Sequence, residues 1–75
     1  MTADIFIIEL QEEVFVETEI SLMRLETNFK ELDEWDSLTA LSLIAHFDMN
    51  LNKKISGDQI KNSLNLQDLY IIATT

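Results

Sequence analysis

The chain has 75 residues, and 14 Asp and Glu against five Lys and Arg leave a net charge of −9; it is too small for more than one domain and too acidic to hold nucleic acid by its phosphates. It has no cysteine and a single histidine, His46, which excludes disulfides, thiol catalysis and the usual cysteine- or histidine-rich zinc sites. No proline, one glycine and an abundance of Leu, Ile and Glu make residues 1–75 read as one all-α domain.

The charge is unevenly spread. Residues 1–36 hold eleven acids against Arg24 and Lys30, whereas residues 37–75 hold Asp48, Asp58 and Asp68 against Lys53, Lys54 and Lys61 and are neutral. Acids so concentrated either draw basic protein surfaces or simply keep a small apolar protein in solution. The apolar run Ile5-Phe6-Ile7-Ile8 lies between Asp4 and Glu9. It is too short for a membrane span and wrongly charged for a signal peptide, so a soluble cytoplasmic protein without membrane insertion is expected.

In chain order, residues 3–17 read as a first amphipathic helix. Ile7, Leu10 and Val14 form a stripe that Phe6 and Ile8 widen, and Glu9, Glu12, Glu13 and Glu17 lie on the wetter side. Residues 18–36 lack a sustained period yet carry Ile20, Leu22, Met23, Leu25, Phe29 and Leu32. They read as a long loop packed on the core, a kind of segment that often carries function.

A second helix is expected from about Ser37 to Met49, with Leu43, Ile44, Phe47 and Leu51 on one stripe and Leu38, Leu41 and Ala45 on another. Both stripes are hard to bury in so small a bundle. The second one, beside Ser37, would then be a docking surface, unless the helix is central and covered on two sides. Asn50 and Asn52 suit the helix end. Ser56 and Gln59 have capping-box spacing for a short third helix to about Ser63, with Ile60 inward. Asn65 and Asp68 frame a fourth helix whose apolar face is Leu66, Leu69, Tyr70 and Ala73, widened by Ile71 and Ile72.

Chemistry is sparse. Asp48, Asn50 and Asn52 fall at the first three ligand positions of a calcium loop, but Lys53 stands where that loop needs glycine and Gln59 where it needs glutamate, so a polar interhelical turn is expected and no metal. His46 follows Ser37 by nine residues on one helix, a rise of roughly 13 Å that rules out a direct serine–histidine pair. It reads as a partly exposed residue near Asp48 and Asn50. Glu12-Glu13 and Asp33-Glu34 read as solvated acids, with no cleft to make either pair catalytic. Trp35 reads as the anchor of the loop before Ser37, its indole N–H needing an acceptor at the rim.

One stretch stands out, Glu34-Trp35-Asp36-Ser37-Leu38, because it places an acid and a hydroxyl where the second helix begins. Asp36 can cap that helix, and a phosphate ester on Ser37 would sit at the end of a helix that best tolerates an anion. Taken alone, the dipeptide is far more often a plain helix cap.

Taken with the length, helix order and acidity, Asp36-Ser37-Leu38 resembles the D-S-L motif of the acyl carrier protein family, the discrete carriers that bear 4′-phosphopantetheine on that serine. The resemblance spans the first helix, the long loop with Thr27-Asn28-Phe29 and Leu32, the D-S-L helix, the short third helix and the Leu66–Ile72 helix. It implies an acyl-carrier-like four-helix bundle of three longer helices and one short third helix, with a long first loop, and a monomeric, non-catalytic carrier. A phosphopantetheinyl transferase would join the arm to Ser37 beside Asp36, and the arm's thiol would hold acyl groups as thioesters. A ligase, ketosynthase or acyltransferase would read Trp35, Leu38, Leu41 and Ala45. Leu43, Phe47 and Ile60 would line a sheltered acyl chain.

Fatty-acid carriers stud this helix with glutamates, whereas here Thr39, Ser42 and His46 occupy polar positions and no acid lies between Ser37 and Asp48. The W-D-S-L form is similar to stand-alone carriers of specialised pathways. Cargo stays open between fatty-acid-like acyl and aminoacyl or peptidyl groups. An unmodified helical adaptor with the same fold is the alternative.

Overall fold

A computed structural model describes residues 1–75 and contains four α-helices and no strand: α1 Ala3–Glu13, α2 Ser37–Asn50, α3 Gly57–Asn62 and α4 Leu66–Thr74. Two 3-10 turns, Ile20–Leu22 and Phe29–Glu31, lie in the connection between α1 and α2. The architecture is a small helical bundle in which α1 packs against both α2 and α4. No helix is long and apolar enough to cross a membrane.

Each helix starts on a side chain that accepts one of its free N–H groups. Thr2 Oγ1 accepts from Ile5 N at 3.2 Å, and Asp36 Oδ1 from Thr39 N at 2.8 Å. Ser56 and Gln59 form the expected reciprocal capping box, at 2.9 and 3.1 Å. Asn65 Oδ1 accepts from Asp68 N at 3.0 Å. At the far end of α2, Asn52 takes the left-handed conformation with φ 53°, and the Lys53 N–H turns back to the Phe47 carbonyl at 2.9 Å.

The first helix is shorter than the apolar pattern suggests and stops at Glu13 rather than at residue 17. Val14, Phe15 and Val16 are poor helix formers because each loses side-chain freedom against the preceding turn. The chain leaves the helix there, with the Val14 and Phe15 N–H groups both donating to the Leu10 carbonyl at 2.8 Å. Leaving at that point lets Phe15 enter the core, where it is fully buried, whereas a fourth turn would have kept it on the helix surface. Ile8 belongs to the exposed side of α1 and does not widen its core stripe.

All four helices feed one core of 14 buried hydrophobic residues. Phe6 and Leu10 from α1, Leu43 and Phe47 from α2 and Leu66 and Leu69 from α4 are fully buried, together with Phe15 and Phe29 from the long connection. Phe6 meets Phe47 edge-on at 6.1 Å and Tyr70 at 5.5 Å, spacings at which aromatic pairs add to plain burial. The connection is packed down as expected for Met23, Leu25, Phe29 and Leu32, but Ile20 and Leu22 stay exposed. It also closes the start of α4, where the Leu66 N–H donates to the Thr27 carbonyl at 3.1 Å and the Gln67 N–H to the Leu25 carbonyl at 2.9 Å.

Candidate functional site

Ser37 is the first residue of α2 and is exposed. Its position follows from the residues on either side. Asp36 is extended at φ −158° and takes the Thr39 N–H on its side chain and the Ala40 N–H on its carbonyl, at 2.8 and 3.0 Å. The Ser37 N–H has no acceptor in the chain, so a free donor and the positive end of the helix dipole face the serine. The Thr39 N–H, helped by the Thr39 hydroxyl dipole and the Leu38 N–H, holds the Asp36 carboxyl below its ordinary pKa of 3.8. Asp36 is therefore an anion at neutral pH and is committed to capping.

The lead-in to Ser37 is fixed from both sides. Trp35 is half-buried, stacks on Phe15 at 6.1 Å with an interplanar angle of 21°, and meets Phe29 edge-on at 5.0 Å. That is the anchoring expected of it, but by ring contacts alone, since the indole N–H finds no acceptor in the protein. The Glu34 carboxylate accepts from the Glu17 N–H at 3.0 and 3.2 Å and from the Thr18 hydroxyl at 2.8 Å. Thr39 Oγ1 donates to the Glu34 carbonyl at 2.7 Å. Glu34 thus ties the residues after α1 to the start of α2 and is not the solvated acid that Asp33-Glu34 suggests.

The two stripes of α2 separate in the structure. Thr39, Leu43, His46 and Phe47 face inward at the spacing of one helix face. Leu38 and Leu41 remain 73 and 61% exposed, and Ala45 is exposed with them. An apolar strip therefore runs along α2 from the residue next to Ser37. Leu43 and Phe47 are fully buried and Ile60 nearly so, in the common core, and no surface groove reaches any of the three.

His46 corrects the sequence reading, being only 4% exposed. One ring nitrogen, Nδ1, lies 2.8 Å from the Asn50 side-chain nitrogen, and the other, Nε2, is buried without a partner. The signal was available, because Thr39 and His46 stand four residues before and three after Leu43 and so share its face. The same spacing points to Thr39 as a residue that positions the start of α2 from the inward face. For Glu34 no local signal exists, since its partners lie 16 and 17 residues upstream.

The residues weighed for calcium are not gathered into a loop. Asp48 and Asn50 belong to α2, and the Asp48 carboxylate pairs with Lys54 Nζ at 3.0 Å. No three acidic, histidine or cysteine side chains are grouped to hold a metal. What the arrangement around Ser37 offers chemically is an accessible hydroxyl on the first turn of a helix, on a backbone held at both sides, with an apolar strip beside it. No family model, curated protein or solved structure matches the chain.

Proposed function

We propose that this chain is an acyl carrier protein, modified on Ser37 with 4′-phosphopantetheine. The observation that carries the reading is the placement of Ser37, an exposed hydroxyl on the first turn of α2 whose own N–H is free, in a chain with no sulfur nucleophile of its own. The residues fit the group: a phosphodiester on the Ser37 oxygen would sit against the free N–H and the positive end of the helix dipole. When bound, the arm would supply the thiol on which acyl groups ride as thioesters.

In this reading the chain's own residues act as a handle and a scaffold. Asp36 spends its charge on the Thr39 N–H and holds the first turn open. Glu34, Thr39 and Trp35 fix where that turn points. Leu38, Leu41 and Ala45 supply the apolar strip on which a transferase, ligase, ketosynthase or acyltransferase would rest. Leu43, Phe47 and Ile60 would meet the acyl chain only if the helices part, since they are packed solid here.

The test is the intact mass after incubation with coenzyme A and a broad-specificity phosphopantetheinyl transferase, with Ser37→Ala alongside. A gain of one phosphopantetheine in the wild type alone is the expected result. No gain with several transferases would overturn the carrier reading and favour an unmodified helical adaptor.

A further inference from the structure

The 3-10 turn Ile20–Leu22 buries none of its residues, although two of the three are large aliphatics, 48 and 55% exposed. It borders two depressions of different character. Ile20 faces Ile8 of α1 across an apolar groove floored by Ile7 and Met23, with Asp4 as the one polar residue lining it. Leu22 borders a pocket walled by Glu17, Glu19, Asp33 and Glu34. The Glu34 carboxylate is taken by the Glu17 N–H and the Thr18 hydroxyl. Glu17, Glu19 and Asp33 have no cation beside them, the single ion pair of the structure being Lys54–Asp48. Glu19 precedes the turn without capping it, which leaves its carboxylate free.

An apolar cleft and a triplet of unpaired carboxylates, each bordered by one aliphatic residue of the same exposed turn, call for an occupant with the same two features side by side. We propose that this face docks a basic amphipathic helix of a partner protein. An aliphatic side chain of that helix would seat between Ile8 and Ile20, and an arginine or lysine would reach over Leu22 to Glu17, Glu19 and Asp33. Charge complementarity selects this occupant: residues 1–36 carry the whole net charge of the chain, which repels a second copy and an anionic membrane alike. No residue of α2 lines either depression, so the surface is separate from the Leu38–Leu41 strip, and it touches the start of α2 only through Glu34, whose carbonyl accepts from Thr39.

A labelled synthetic peptide with leucines on one helical face and arginines on the other is the probe, titrated into the full chain and followed by anisotropy and amide chemical shifts. Binding is expected to shift Ile8, Ile20 and Leu22 and to weaken as salt is added. Ile20→Ser should weaken it about tenfold, as loss of a central aliphatic anchor does. Replacing Glu17 and Glu19 by Gln and Asp33 by Asn should weaken binding and reduce its salt dependence. Leu38→Ser should leave affinity unchanged. Equal binding of a scrambled peptide of the same composition, equal weakening by Leu38→Ser, or no binding would overturn the proposal. Self-association or binding to neutral phosphatidylcholine vesicles that Ile20→Ser abolishes would do the same, by giving the groove another occupant.

Discussion

The starts of α2 and α4 are built alike and used differently. Each has an Asp or Asn cap accepting the N–H of the third helical residue, Asp36 from Thr39 and Asn65 from Asp68. In each, the side chain of that third residue also reaches back upstream, Thr39 to the Glu34 carbonyl and Asp68 to the Leu64 N–H. At α4 the long connection then covers the end: the Thr27 and Leu25 carbonyls accept the first two helical N–H groups, those of Leu66 and Gln67, and Leu66 is fully buried. At α2 nothing covers it, and the first residue is an exposed serine. A helix end becomes structural or available according to what the rest of the chain lays over it, even when the local capping chemistry is the same.

The closed end should be the costlier one to damage. Leu66→Ala removes a fully buried side chain under the connection and should cost about 2–5 kcal/mol, a fall in Tm of roughly 10–30 °C in a domain of this size. Thermal melts followed by helicity read this directly, and a small change would mean that the connection does not seal α4. The open end depends instead on its tether. Glu34→Ala frees the Glu17 N–H and the Thr18 hydroxyl and should cost about 1–2 kcal/mol in urea unfolding. Trp35 fluorescence should shift as well, because that ring follows directly on the residue that is cut loose.

The sequence could announce the open end but not the closing of the other. Capping at Asp36, Ser56 and Asn65, the inward stripe of Leu43 and Phe47, and the outward strip of Leu38 and Leu41 are local patterns with helical spacing, and all were legible. The carbonyls of Leu25 and Thr27 on α4, and the Glu34 carboxylate on residues 17 and 18, join segments far apart in the chain and leave no periodic trace. The early stop of α1 is intermediate. The run Val14-Phe15-Val16 hinted at it, but the deciding factor was the core space that Phe15 fills beside Trp35, a tertiary effect that overrides an amphipathic pattern.

The two caps themselves should differ in how they respond to pH. Asn65→Ala should cost about 1 kcal/mol with little pH dependence, since asparagine does not titrate. Asp36 is a carboxylate whose folded pKa is depressed by the Thr39 N–H. Its charge therefore favours the fold above its unfolded value near 3.8, and that advantage is lost as pH falls through the lower folded value. Asp36→Asn keeps an oxygen acceptor and removes the proton equilibrium. Urea midpoints should show the wild type ahead of Asp36→Asn at pH 7 and the difference shrinking as the solution is taken below pH 3.8. A constant difference across that range would mean that capping geometry alone, without charge, holds the start of α2.

The smallest structural effect is expected at the residue on which the proposed function rests. Ser37 is exposed, and its side chain makes no hydrogen bond within the chain, so Ser37→Ala should leave stability within about 0.5 kcal/mol of the wild type. The proposed loading with phosphopantetheine should nevertheless be lost altogether. The matching exchange at the closed end, Leu66→Ser, places the same residue type under the Thr27 and Leu25 carbonyls and should behave in the opposite way, losing stability and gaining no modification. If Ser37→Ala unfolded the protein, the first turn of α2 would be a structural element like that of α4, and the contrast between the two ends would collapse. If it stayed folded and unmodified while the wild type accepted the arm, the open helix end and the attachment site would be the same feature.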